Sequence, residues 1–413
     1  MPPPPAPPQI ELPRFRPFTA RQSEAGALRA VLDYLGVRAP HSGEAFTEAM
    51  LFGLGGGIGF SYFVFEYRSA RLKTLTLGTR ITTLEESSRP QFVQTICDRI
   101  GAPTRVLHPT TVSAANQGVR KALAQGIPPI VWVDLSGPPY HFPATAEYAA
   151  AVLYGWKGDQ VFLAGRSRRP IPMRRRAFEA ARSSVGVPKS RAVLVSAPDH
   201  EVGLSTSLLS ALRETRDQMA RGIDVGPFRG NFGLTALEKW AGLLTDPADR
   251  KGWPRFFPLG RDLLAALLAV FVQIEMRGRG GGAFRALYAD FLEEAAVILR
   301  RRKLAEAAEP FRRSARAWRS LARAALPNAV PQLRELREIT LAREAQLARE
   351  GAAGLSRAIE ITEQARRLRR SLEDEFPMQT DEVLDLLSGL RQRVLKVHAL
   401  EAAALQALRS ALR

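Results

Sequence analysis

The chain has 413 residues, 46% of them hydrophobic, and a formal net charge of +18. This length predicts two or three domains with ordinary cores, and a single cysteine, Cys97, excludes an internal disulfide and a cysteine-based zinc site. The longest apolar run, the twelve residues 263–274, falls short of the roughly 20 a bilayer requires, so no membrane span and a soluble, cytoplasmic protein are expected.

Residues 1–14 are proline-rich and lack an apolar stretch, which predicts a polyproline II lead and not a signal peptide. From Ser23 to Gly36, Ala27, Leu28, Val31, Leu32 and Leu35 fall on one helical face. Ser23 is the expected N-cap and Gly36 the expected stop. A short amphipathic helix is predicted over 43–53, then a glycine-rich turn and an aromatic strand, FSYFVFEY, at 60–67. Helices are predicted over 89–101 and 110–126. Strands are predicted at 129–134, 149–155 and 160–164, the last two forming a hairpin that turns at Lys157-Gly158. Residues 1–195 therefore read as an α+β region with a small, mostly antiparallel sheet.

Beyond residue 200 the strand signals vanish. Helical periodicity runs through 205–222, 233–244, 259–276, 283–326, 331–376 and 381–412, with Pro377 between the last two. Glu and Arg interleave with a Leu/Ala/Ile stripe in the tail, as in bundles and coiled coils. The expected organisation is a lead at 1–14, an α+β domain at 15–195, a helical domain at 200–328 and C-terminal helical hairpins at 329–413. Those hairpins are a candidate surface for homo-oligomers.

Five glycines occupy 53, 55, 56, 57 and 59. No Gly-x-Gly-x-x-Gly frame closes, Phe60 stands where a Walker loop needs lysine, and no strand precedes them. A tight buried turn is expected there, not a nucleotide loop. Positive charge concentrates in two places: residues 166–191 carry +8 and residues 300–319 carry +6. Such patches suit an acidic protein, a phosphate group or nonspecific nucleic-acid contact, or are solvated helix faces. Arg174, Arg175 and Arg176 are the candidate basic patch within the first. In RGRGGGAFR, the residues Arg277, Arg279, Gly280, Gly281, Gly282 and Arg285 surround a predicted helix start, a candidate anion site whose alternative is a tight interhelical turn. Tyr288, Asp290, Glu293 and Glu294 read as a helix face. His41, His108, His200 and His398 share no spacing, so no metal site is expected.

Three stretches together carry a resemblance: ALRAVLDYLGV, EAMLFGLGGGIGFSYFVF and PPIVWVDLSGPPYHF. They resemble the N-terminal domain of the butirosin biosynthesis protein H family, and IEMRGRGGGAFRALYADFLEEAA resembles the helical domain of unknown function that usually follows it. The resemblance covers roughly residues 15–325. It implies a papain-like fold and transfer of an acyl group from a carrier-protein thioester to an amine. It also implies a cysteine at a helix N-terminus, a histidine on a strand and an acidic partner, with no cofactor beyond the carrier's phosphopantetheine.

Carried onto this chain, those positions depart together. Gln22-Ser23 stands where the family has His-Cys, Tyr148 or Ala149 where it has the histidine, and Gly165 where it has the aspartate. Ser23 could serve as a slower nucleophile only with a base, and His141, with Glu147 to orient it, is the one candidate. Three functions follow: a non-catalytic protein binding an acidic carrier or another protein, an acyltransferase using Ser23 and His141, or a nonspecific nucleic-acid binder resting on charge alone. The first accounts for all three departures at once.

Overall fold

The computed structural model describes residues 9–67, 72–80, 91–137, 148–185, 190–200, 202–223, 226–276 and 281–413. In chain order come strand β1 (Ile10–Glu11), helices α1 (Ser23–Tyr34) and α2 (Glu48–Leu54), and strands β2 (Ile58–Tyr67) and β3 (Leu72–Arg80). Helix α3 (Gln91–Ile100), strand β4 (Thr104–Leu107) and helix α4 (Val112–Ala124) lead to β5 (Ile130–Asp134), β6 (Tyr148–Lys157), β7 (Gln160–Ala164) and β8 (Ile171–Arg174). After α5 (Arg175–Ser184) and β9 (Ala192–Val195) the chain is helical: α6 (Leu204–Arg221), α7 (Gly233–Thr245), α8 (Trp253–Phe256), α9 (Arg261–Phe271) and α10 (Arg285–Leu299). The last four are α11 (Arg302–Ala325), α12 (Pro331–Glu350), α13 (Leu355–Asp374) and α14 (Thr380–Ala411). The α+β class holds. Among the described residues no helix is long and apolar enough to cross a membrane.

Backbone packing divides the chain into two compact units. One holds 1–51, 85–203 and 342–362; the other holds 52–84, 204–341 and 363–413. This division interleaves segments, whereas the boundaries expected at 15–195, 200–328 and 329–413 are consecutive.

The first unit is built on an antiparallel sheet in the order β4-β9-β5-β6-β7-β8. The central strand β6 pairs with β5 along its first half and with β1 further on, where Ile10 lies opposite Trp156. β1 thus turns the end of the proline-rich lead into part of the sheet. Val152, Leu153, Ile130 and Val131 are fully buried in this sheet, and α1 lays Leu28, Val31 and Leu32 against β6. Each such side chain contributes about 1.5–3 kcal/mol on burial. Residues 342–362 join this unit through Arg166, which is paired with Glu344, and through Ser167, which donates to the Ala348 carbonyl.

The second unit wraps helices around the β2–β3 hairpin. Gln273 reads the backbone of β3, accepting from the Leu77 N–H and donating to the Leu75 carbonyl. The glycine-rich turn meets α10. A Cβ on Gly53 would lie 2.1 Å from the Phe291 ring, and one on Gly57 would lie 2.6 Å from the Tyr288 ring. The Thr215 hydroxyl donates to the Gly56 carbonyl. The buried turn expected from the sequence is present, and the close approach of two aromatic rings is the reason for it.

α14 packs on α7 and α11 and buries Leu387, Leu390, Val394, Val397, Leu405 and Leu408. The stripe expected to serve oligomers is therefore consumed, along α14, by the second unit's own core. The 300–319 charge is answered in part internally: Arg312 pairs with Asp290 and Glu293 and Arg319 with Glu275, while Arg302 and Arg316 pair with Glu306 and Glu309 within the stretch itself.

Candidate functional site

The start of α1 is the position to which the family resemblance assigns chemistry. Ser23 is not its cap. Gln22 is, with extended backbone (φ −131°, ψ 125°), and its side-chain oxygen accepts from the Ala25 N–H at 2.7 Å. Ser23 is the first helical residue and is half-buried. Glutamine is an unusual cap; here neighbours hold it. Its amide nitrogen donates to Glu24 Oε2 at 3.0 Å, while Glu24 Oε1 receives the Trp132 indole N–H at 3.3 Å. The Gln22 backbone N–H donates to Glu48 Oε1 at 2.5 Å.

Two carboxylates thus converge on a helix N-terminus, where the macrodipole favours negative charge. Burial pushes the Glu48 carboxyl up from its ordinary value, opposed by the Gln22 and Arg21 backbone N–H groups and by the charges of Arg21 and Arg29. A raised folded-state value means that this group's stabilising contribution is complete below the ordinary carboxylate range and declines as pH rises through the raised value. Glu48→Gln is accordingly expected to raise the thermal midpoint at pH 7 and leave it nearly unchanged at pH 4, as followed by circular dichroism. Gln22→Ala is expected to cost about 1–3 kcal/mol, from a lost cap and an abandoned buried acceptor. Ser23→Ala should stay within about 0.5 kcal/mol; urea unfolding of both variants checks the order.

The sheet positions follow from register. Trp132 lies opposite Ala150 and Val133 opposite Ala149. Paired residues share a face, so Ala150 lies on the side that carries the Trp132 indole toward Glu24, and Ala149 lies on the other. Tyr148 alternates onto the Trp132 side, but its hydroxyl donates to the Ser184 carbonyl at 3.3 Å. Gly165 is brought to the α1 start: its carbonyl accepts from the Ala20 N–H at 3.2 Å, and it bridges to Thr19. At φ 139° its backbone favours glycine, so an aspartate there would be strained.

The other candidates separate. His141 and Glu147 lie outside the described residues, as do Arg277, Arg279 and Gly280. The remaining part of the expected anion site is engaged from within. The Gly282 N–H donates to Glu275 Oε2 at 3.0 Å, and Arg285 is fully buried against Glu401 at 2.7 Å. Glu275 already supplies the anion that the amide would seek. Arg174, Arg175 and Arg176 are exposed; Arg175 lies 3.6 Å from Asp159 and 3.9 Å from Glu179. Of the expected helix face, Tyr288 is buried in the core and Asp290 and Glu293 bind Arg312. Cys97 is buried and its thiol is pushed up by burial, which keeps it protonated and unreactive. Among the described residues no group of three metal-ligating side chains converges.

The sequence reading missed Glu24, Glu48 and Trp132. The available signal was Glu24 itself, an acid in the first turn of a helix whose following residues are apolar. Glu48 and Trp132 are distant in sequence, and only the fold joins them.

No curated protein matches the chain. Two family models do: the N-terminal domain of butirosin biosynthesis protein H over residues 22–164, and a domain of unknown function, DUF4872, over 176–355. The first begins at Gln22, the α1 cap, and ends at Ala164, just before Gly165. In the order that the glycine-rich stretch and RGRGGGAFR suggest, the chain thus carries a domain of the acyltransferase-related butirosin biosynthesis protein H N-terminal family, followed by a DUF4872 domain.

Proposed function

We propose that this protein is a non-catalytic binding member of its family, which holds an acidic carrier or another protein partner and transfers no acyl group. One observation carries the reading: the α1 start is filled by its own side chains. Acyl transfer needs a nucleophile with a base in reach and free donors for the developing oxyanion. Here the Gln22 N–H is bound by Glu48 and the Ala25 N–H by the Gln22 side chain, while the positions where the resemblance puts the histidine and the aspartate, Tyr148 or Ala149 and Gly165, carry neither an imidazole nor a carboxylate. Arg174 and Arg176, exposed at the start of α5, are the proposed contact for the partner's acidic surface.

The test is to incubate the protein with an acyl-loaded carrier and weigh it intact. No adduct is expected on wild type. Retention of the carrier should weaken in high salt and in the charge-reversed triple variant R174E/R175E/R176E. An adduct on wild type that disappears in Ser23→Ala would overturn the reading in favour of serine-based acyl transfer, with His141→Ala then testing the base.

A further inference from the structure

The segment between β1 and α1 sorts its side chains. Leu12, Phe15 and Phe18 are buried, while Arg14 and Arg16 are exposed. Phe15 stacks on Tyr154 with ring centroids 5.2 Å apart and tilts against Tyr34 at 5.7 Å, which fixes the segment on the sheet and on α1. Arg14 takes left-handed backbone at φ 66°, which a non-glycine residue keeps only where its surroundings hold it. Arg29 and Asp33 from one face of α1, together with Arg168 beyond β7, complete a groove of about 970 Å³.

The charge in this groove is one-sided. Four guanidinium groups face one carboxylate, and Asp33 is already engaged by Arg38 at 2.9 Å. Among the described residues no carboxylate pairs with Arg14, Arg16 or Arg168. Guanidinium groups match phosphate oxygens two at a time, and several on one concave wall suit more than one phosphate. The volume is that of a small-molecule site. Single-stranded nucleic acid would need outward aromatic faces, yet Phe15 and Phe18 are buried.

We propose that this groove binds a small organic phosphate carrying two or more phosphate groups. The site goes beyond the proposed partner binding and does not depend on it, because it uses none of Arg174–Arg176 and takes from α1 only Arg29 and Asp33. Calorimetric titration of the full chain with inorganic pyrophosphate and with ADP tests it. Both probes are expected to bind at low salt and to weaken as salt is raised. The variants R14Q/R16Q and R29Q/R168Q should each lose about tenfold or more in affinity, while R174Q/R175Q/R176Q should bind as wild type does. Arg168→Gln alone, on an exposed loop, serves if a double variant fails to fold. The proposal is overturned if wild type binds neither probe, or if folded groove variants bind them undiminished. A short single-stranded oligonucleotide held more tightly than either probe, with that binding lost in the groove variants, would also overturn it.

Discussion

Arg285→Met is expected to destabilise the second unit by about 3–5 kcal/mol, because it strands Glu401 as an uncompensated buried charge. Both side chains are completely buried, with Arg285 Nε 2.7 Å from Glu401 Oε1. Glu401 Oε1 also receives the Ser314 hydroxyl and, at 2.8 Å, the Trp318 indole N–H. Arg285 in turn donates to three carbonyls: Thr79 at 2.9 Å, Ala283 at 2.8 Å and Gly59 at 3.0 Å. Its guanidinium lies over the Trp318 ring, 5.2 Å from the centroid. One arginine therefore ties β2, β3, α10, α11 and α14 together. Glu401→Leu should cost a similar amount. The double variant R285M/E401L removes both charges and should recover part of the loss, since an apolar replacement of a buried pair is often close to neutral. Urea unfolding of the four proteins gives the coupling directly. Equal stability of wild type and Arg285→Met would remove Arg285 from the core and restore it as a free arginine for an anion.

How legible this was in the sequence depends on the range of the interaction. α1, α4, β5, β6 and β7 carry their signals locally, in a 3.6-residue apolar stripe or a run of Val, Leu and Ala between turn residues, and the observed bounds follow the expected ones closely. β3 escapes the sequence reading although Leu75 and Leu77 alternate with Thr74 and Thr76, because Gly78 and the charged ends dilute the pattern. The short strands β4, β8 and β9 have four residues each, too few for a period to show. The helical periodicity over 283–326 is broken at Arg300, which is left-handed at φ 51° without the glycine that usually marks such a stop. The positions of the candidate site were legible. Counting back from Gly155, or from the Ala27-Leu28-Arg29 motif, needs no tertiary structure, so Gln22-Ser23, Tyr148 or Ala149, and Gly165 are reached from the sequence as the positions the resemblance singles out. What surrounds them is not. Gln22 meets Glu48 across 26 positions and Glu24 meets Trp132 across 108, while Arg285 meets Glu401 across 116.

Gly57→Ala is expected to cost about 2–5 kcal/mol, from left-handed backbone (~1–2 kcal/mol) together with overpacking (~1–3 kcal/mol). Its φ is 68°, and the added methyl would lie 2.6 Å from the Tyr288 ring, which is fully buried and has no free direction in which to retreat. Gly53→Ala isolates the second effect. Gly53 sits within α2, where alanine is the better helix former by about 1 kcal/mol, so propensity alone predicts a gain. The methyl would meet Phe291 Cγ at 2.1 Å. At so close an approach overpacking sits near the top of its ~1–3 kcal/mol range and should therefore win, with a net loss of about 2 kcal/mol. Gly36→Ala is the control for backbone alone: its φ is 74° and no atom lies within 4 Å of the added Cβ, so about 1 kcal/mol is expected. The order Gly57, Gly53, Gly36 is checked by urea unfolding. Combining Gly53→Ala with Phe291→Leu adds a sharper measurement, because the smaller side chain makes room for the methyl. The double variant should then be more stable than the sum of the single losses allows. A phosphate-binding loop predicts a different result: stability nearly indifferent to all three substitutions, with the loss confined to ligand affinity. Two rings of α10 resting on bare backbone account for the glycines without any ligand, and they join the N-terminal family signature to the helices of the domain that follows it.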